Sequence, residues 1–255
     1  VPAGTPGWTP AGVVGGAMTV DASDGDDGII DLGGGDDFLN DNSLPNGTED
    51  RIISVWVKQD DPTGQQLIFD EGGNTNGLTL IADNGTVKAR AKEGGTQANL
   101  SAALPADADW HNLIYYFDNG DFRLYIDGEV ADSTTTPGNL ADGVSGHGDQ
   151  GGVGMADNDT SFQTAGPGGF RGAIDEVHVY DMILSEAGLL RLAYPSVDLG
   201  RVNVDANAEL AVQGINDLGF ATVDGRLELG DAASAVTDLT VNGGGVLDVG
   251  AAGSL

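Results

Sequence analysis

The feature that most constrains this chain is the rhythm of its middle. Arg51-Ile-Ile-Ser-Val-Trp-Val-Lys58 alternates in a strand-like way, as do Leu78-Thr-Leu-Ile81, Val87-Lys-Ala-Arg-Ala-Lys92, Asn112-Leu-Ile-Tyr-Tyr-Phe117 and Phe122-Arg-Leu-Tyr-Ile126. Turn signals separate these runs: Asp83-Asn-Gly85, Asp118-Asn-Gly120 and Asp127-Gly128. Short strands at roughly ten-residue spacing, with no helices between them, predict two antiparallel sheets packed face to face. Forty-two glycines among 255 residues fit an all-β chain with many tight turns. One segment, Ser185 to Tyr194, combines a capping serine with helix formers.

After Pro195 the texture changes. Val202-Asn-Val-Asp-Ala-Asn-Ala-Glu-Leu210, Ala221-Thr-Val-Asp-Gly-Arg-Leu-Glu-Leu-Gly230 and Leu239-Thr-Val-Asn-Gly-Gly-Gly-Val-Leu-Asp-Val-Gly250 resemble one another. Asn203, Thr222 and Thr240 stand at equivalent points, 19 and then 18 residues apart. A period near twenty with Gly, Asn and Asp turns suggests stacked coils of a β-solenoid, each coil burying its apolar face on the next. A small meander packed on the first domain is the alternative. The expected division is therefore 1–195 for the sandwich and 196–255 for the repeats. The chain opens at Val1 without Met or a signal peptide and stops within the repeat pattern, which suggests a processed or excised part of something longer.

Forty acids against ten bases give a formal charge of −30. A nucleic-acid backbone would be repelled, because binding it relies on basic side chains that displace counterions. Cations are the natural partners, and the charge also keeps a surface soluble. Cysteine is absent, which removes disulfides and thiolate sites. No apolar run approaches the ~20 residues that span a bilayer, so membrane insertion is not expected.

Several stretches, in order, carry a resemblance. Val14-Gly-Gly-Ala-Met-Thr-Val-Asp21 through Ile30-Asp-Leu-Gly33 comes first, then Ile53-Ser-Val-Trp-Val-Lys58. Trp110-His111 is followed by Tyr125-Ile-Asp-Gly128, and Gly169-Phe-Arg-Gly-Ala-Ile-Asp-Glu-Val-His-Val-Tyr-Asp181 by Leu184-Ser-Glu186. Together these resemble the landmarks of the bacterial LamG-like family, the concanavalin A-like lectin/glucanase jelly roll, and the tail resembles solenoid-like repeats of the autotransporter type. The family's usual first strand has little room here, since only Val1 to Thr9 precede the first landmark. A missing strand would leave an open sheet edge, for the repeats or another copy of the chain to fill by β-augmentation.

Catalysis finds little support. Glycan-hydrolysing relatives of the fold set acids at i, i+2 and i+4 on one strand, so that alternation points all of them into one cleft. Counting from Asp175 gives Val177 and Val179, and from Glu176 it gives His178 and Tyr180. No Gly-x-Ser-x-Gly or His-Glu-x-x-His motif is present. Strict alternation sets Asp175 on the face of Val177 and Val179, where a buried carboxylate needs a partner: a cation, backbone N–H groups or Arg171. By resemblance, the matching Asp joins the early strand in a structural calcium site. That implies Ca2+ on Asp175, Asp21 and Asp24, the last two in the loop Asp21-Ala-Ser-Asp-Gly-Asp-Asp27. Glu176 and His178 read as solvent-facing, Trp56 and Trp110 as core, and Trp8 and Phe162 as exposed loop aromatics able to stack on a sugar or a partner.

The expected function is a non-catalytic extracellular or cell-surface adhesion module that binds glycan or a surface protein. The alternatives are a subunit of a filament or surface layer completed by strand donation, and a carbohydrate-binding accessory module of a polysaccharide-degrading enzyme.

Overall fold

The computed structural model describes residues 7–21, 30–34, 50–118, 120–145, 150–155, 160–162, 168–194, 201–204, 206, 209–212, 220–224, 226–229, 238–242 and 245–249. The chain forms two compact units, Val1–Ile183 and Leu184–Leu255. No described helix is long and apolar enough to cross a membrane.

The described strands of the first unit are β1 (Gly7–Thr9), β2 (Ala17–Asp21), β3 (Ile30–Gly34), β4 (Asp50–Gln59), β5 (Gln65–Gly72), β6 (Asn76–Asp83), β7 (Thr86–Glu93), β8 (Thr96–Ala103), β9 (His111–Asp118), β10 (Asp121–Ile126), β11 (Glu129–Thr135), β12 (Gln150–Val153), β13 (Gly168–Gly169) and β14 (Arg171–Tyr180). They build two sheets, ordered β1-β2-β14-β4-β9-β10-β11 and β3-β12-β5-β6-β7-β8. Pairing is antiparallel throughout, except that β13 lies parallel to β5. Two turns follow directly from their residues. Asn84 and Gly85 have φ 49° and 79°, and Asp127 and Gly128 have φ 50° and 82°, the pair of positive values that a two-residue hairpin turn needs to match strand twist.

Alternation decides the core. Ile53, Val55 and Val57 of β4, Leu78 and Leu80 of β6, Val87, Ala89 and Ala91 of β7, and Leu113, Tyr115 and Phe117 of β9 all enter one cluster between the sheets. Phe122 stands at its centre, with ring centroids 4.8 Å from Tyr115 and 6.1 Å from Phe117. Arg51 and Glu71 also point inward, and their buried side chains approach to 3.8 Å.

The second unit begins with helix α1 (Glu186–Ala193), where the sequence places one; Ser185 Oγ accepts the Gly188 N–H, and Glu186 and Arg191 sit at the ends that suit their charges. The strands β15 (Arg201–Val204), β16 (Glu209–Val212), β17 (Phe220–Val223), β18 (Arg226–Leu229), β19 (Asp238–Val241) and β20 (Val246–Val249) follow. They form two parallel sheets, β15-β17-β19 and β16-β18-β20. Asn203, Thr222 and Thr240 lie directly opposite one another. Parallel pairing excludes the meander alternative, whose neighbouring strands would run antiparallel.

Two expectations about the first unit change. Residues 7–9 pair with β2, Trp8 opposite Met18, so the sheet edge expected to stand open for a donated strand is covered by the chain's own leading segment. Strict alternation also fails in β14. Asp175 pairs with Trp56 and His178 with Ser54, so two residues, Glu176 and Val177, oppose Val55 alone. This is a β-bulge, and Glu176 takes φ 46° within it. Ile174 and Val179 both face the core, yet the extra residue turns Asp175 away from Val177 and Val179 to the outer face. At the other end of the strand, Gly172 has φ 150° and its missing side chain would overlap the Lys58 carbonyl. Gly172→Ala is expected to lower stability by on the order of 1–3 kcal/mol in urea unfolding, without changing the unfolding slope.

Candidate functional site

On the outer face of the first sheet, a cleft of about 620 Å³ is lined by Thr9, Thr19, Lys58, Asp60, Trp110 and Arg171, among others. Its floor follows from register: Ala173 of β14 lies between Thr19 of β2 and Lys58 of β4, all three on the face opposite the core. Trp110 stands one residue before His111, which pairs with Val57. Arg171 Nη1 donates to Asp61 Oδ2 at 2.8 Å and to Thr63 Oγ1 at 3.2 Å, which fixes the rim. Lys58 Nζ has no hydrogen-bond or ion-pair partner among the described residues. The cleft thus combines a half-buried indole with an ammonium that has no described partner, in a chain where acids outnumber bases four to one.

His111 holds Trp110 in place. Its ring is nearly buried; Nδ1 lies 2.8 Å from Asp127 Oδ2 and Nε2 lies 2.8 Å from Asp107 Oδ1. Asp127 also accepts the Asn112 N–H at 2.9 Å, so one imidazole ties the 104–110 segment to the turn between β10 and β11. Burial alone would lower the His111 pKa, but the hydrogen bonds and charges of Asp127 and Asp107 outweigh it and raise it. Asp61 is held below the usual carboxylate range, first by the Thr63 N–H, then by the Thr63 hydroxyl and Arg171.

Asp175 occupies a different place and a different role. Oδ2 accepts the N–H groups of Val13 at 2.7 Å and Val14 at 3.3 Å, and Oδ1 accepts the Glu176 N–H at 3.0 Å. These three donors take most of the roughly four lone-pair positions of a carboxylate. Of the partners open to it from the sequence, backbone N–H groups fill the role among the described residues. The Asp21 backbone pairs with Arg171, four residues along β14 from Asp175, a backbone separation of roughly 13 Å. Asp24 lies outside the described residues. Among the described residues no group of three His, Asp or Glu side chains is arranged to hold a metal ion.

The aromatics sort differently from expectation. Trp56 and Trp110, read as core, are half-buried on the outer face, because position 56 alternates with the inward Val55 and Val57 and Trp110 precedes β9. Trp8 is 72% exposed, in strand β1 rather than a loop, and does not line the cleft. Phe162 has one face under the Arg90 guanidinium, 4.1 Å from the ring centroid. His178 is exposed, as expected, and its Nε2 lies 3.1 Å from Glu176 Oε2. Of the cleft residues that sequence reasoning missed, Lys58 had a signal, since strand parity sets it on the face opposite Val55 and Val57.

Asp175→Ala leaves the Val13 and Val14 N–H groups without their acceptor, and a loss of about 2–3 kcal/mol with faster proteolysis before residue 15 is expected. For His111 the folded pKa exceeds the unfolded one, so its contribution to stability is complete below the ordinary histidine value and fades as pH rises through the folded value. Melting curves from mildly acidic to alkaline pH should show that decline in the wild type, and His111→Gln should flatten it.

The model of the concanavalin A-like lectin/glucanases superfamily matches residues 33–189. No curated protein matches the chain. Among solved structures, domain 4 of AbnA, an extracellular GH43 arabinanase of Geobacillus stearothermophilus solved with arabinotriose, is 18% identical with a TM-score of 0.53; the match covers 74% of this chain and 82% of that one. The binding domain of botulinum neurotoxin serotype D/C is 14% identical at TM-score 0.55, over 77% of this chain and 48% of that domain. The binding domain of Paraclostridial Mosquitocidal Protein 1 is 14% identical at 0.53, over 74% and 45%. The match therefore spans less than half of either toxin domain, and at these identities the likeness is one of fold. With well over half its length matched by the family model, the chain belongs to the concanavalin A-like lectin/glucanase superfamily.

Proposed function

We propose that this chain is a non-catalytic glycan-binding module of an extracellular or surface-attached protein, and that saccharide docks in the outer-face cleft beside Trp110. The observation that carries the reading is one cleft lined by a half-buried indole, by Lys58, which has no partner among the described residues, and by Asp60. A pyranose or furanose ring offers an apolar face to the indole and hydroxyls to the ammonium and the carboxylate, the division that such sites use. Binding rather than hydrolysis is supported by Asp61, whose carboxyl is held ionised by Thr63 and Arg171, whereas a general acid needs a raised pKa. The arabinanase domain carrying arabinotriose, though similar only in fold, makes arabinan the first saccharide to try.

The second unit reads as a β-solenoid. Its parallel sheets and its period of 19 and 18 residues support coils stacked one on the next. The accessory-module role, beside a catalytic domain on the same polypeptide, is compatible with the same cleft.

Affinity electrophoresis through arabinan and other plant and bacterial polysaccharides tests the reading. Retention is expected on at least one, with roughly tenfold weaker binding for Trp110→Ala and a smaller loss for Lys58→Ala. No reducing ends should appear on prolonged incubation. Retention untouched by Trp110→Ala would remove the cleft from the account, and released sugar would make the protein an enzyme.

A further inference from the structure

The outer face of the second sheet carries a patch of opposite character to the rest of the chain. In β7, Val87, Ala89 and Ala91 enter the core, so Lys88, Arg90 and Lys92 point away from it; in β8, Ala98 and Leu100 point inward and Gln97, Asn99 and Ser101 outward. This two-stranded ribbon holds three of the chain's ten basic residues and no outward-facing acid, although the chain has forty. Lys88 is neutralised by Asp83 at 2.7 Å. Among the described residues the other two cations meet only neutral groups.

Arg90 is fixed in place. Its Nε donates to Asn99 Oδ1 at 2.6 Å and Nη1 to the carbonyls of Ser161 at 3.0 Å and Phe162 at 3.4 Å, while Phe162 lies under the guanidinium. The 160–162 segment is itself anchored. Thr79 Oγ1 donates to Asp70 Oδ1 at 2.6 Å, meets Ser161 Oγ at 2.6 Å and accepts the Ser161 N–H at 3.3 Å. These contacts leave Arg90 Nη2 without a hydrogen bond among the described residues. Among the described residues Lys92 Nζ has a single bond, to Asn74 Oδ1 at 3.1 Å. Arg90 and Lys92 are two residues apart on one face, so their backbones are separated by roughly 7 Å and their long side chains reach a common point. Burial lowers the Arg90 pKa.

We propose that this ribbon binds the oxyanion of an acidic oligosaccharide, a uronate carboxylate or a sulfate ester, between Arg90 Nη2 and Lys92 Nζ, with sugar hydroxyls on the amides of Gln97 and Asn99. The site is independent of the Trp110 cleft, which lies on the other sheet. Charge-assisted bonds from two cations without acid partners among the described residues supply the attraction. A nucleic acid, with one charge per ~1.7 Å of duplex, meets the repulsion of a −30 chain over its whole length. A short saccharide meets little of that field and brings the hydroxyls that exposed amides recognise.

Calorimetry of the full chain with trigalacturonate, sulfated galactotriose and uncharged galactotriose decides the matter. At least one charged sugar is expected to bind roughly tenfold or more tightly than the uncharged one, and less tightly as salt is raised. Which of the two binds identifies the oxyanion. Lys92→Gln should weaken that binding roughly tenfold. Asn99→Asp, which keeps an acceptor for Arg90 Nε while setting a carboxylate against the guanidinium, should do the same with an unchanged melting temperature. Equal affinity for charged and uncharged sugars, no binding of either charged sugar, or wild-type affinity in both variants would overturn the proposal. Failure of the Trp110→Ala test would leave these outcomes unaffected.

Discussion

The first unit depends on one carboxylate turned the wrong way. A strand that alternated without interruption would drive Asp175 into the apolar interior, where an ionised group without partners is costly. The bulge at Glu176 and Val177 averts this by adding one residue, and the positive φ of Glu176 is strain that the surrounding contacts must offset. Once outside, the carboxylate collects the N–H groups of Val13 and Val14 and its own neighbour. The leading segment is thereby pinned against the sheet, β1 seals the edge of β2, and Thr9 arrives at the cleft rim. A single displaced residue in β14 thus joins the sheet's edge, its outer face and the candidate site.

Electrostatics in so acidic a chain is governed by where its few cations go. Arg51 lies inside the sandwich against Glu71, whose burial pushes its carboxyl up to about 8 against the opposing pull of Arg51. Arg171 braces the turn at Asp61 and Thr63. Lys88 answers Asp83. Against that background Lys58 on one sheet and Arg90 with Lys92 on the other, which have no acid partner among the described residues, are placed to meet something from outside. His111 adds a conditional charge, since its two carboxylates favour the protonated ring.

Much of the architecture was legible because it is local. Period-two patterning predicted β4, β6, β7, β9 and β10 from their own residues, and Asn84-Gly85 and Asp127-Gly128 declare their turns. Ser185 declares a helix start. The equivalence of Asn203, Thr222 and Thr240 anticipates their side-by-side placement. What escaped the sequence was set by long-range partners. Nothing near Glu176 announces a bulge, because its cause lies in Val13 and Val14, some 160 positions away. The assignment of Trp110 to the interior failed because it precedes its strand, and parity cannot be counted beyond a strand's end. Phe162 is partnered through a loop whose course depends on Thr79 and Asp70.

Gly12 carries the last consequence. A methyl group there would stand 2.6 Å from Asp175 Oδ2 and crowd the backbone of Gly16 and Ala17. The two positions therefore constrain each other: a homologous chain with a bulkier residue at 12 must shorten or neutralise the acid at 175, reroute its first residues, or give up the bulge. Paired changes at these sites across an alignment would mark which relatives keep the same seal, and a chain carrying Gly12→Ala while retaining the acid would be expected to expose the margin of β2 to other polypeptides.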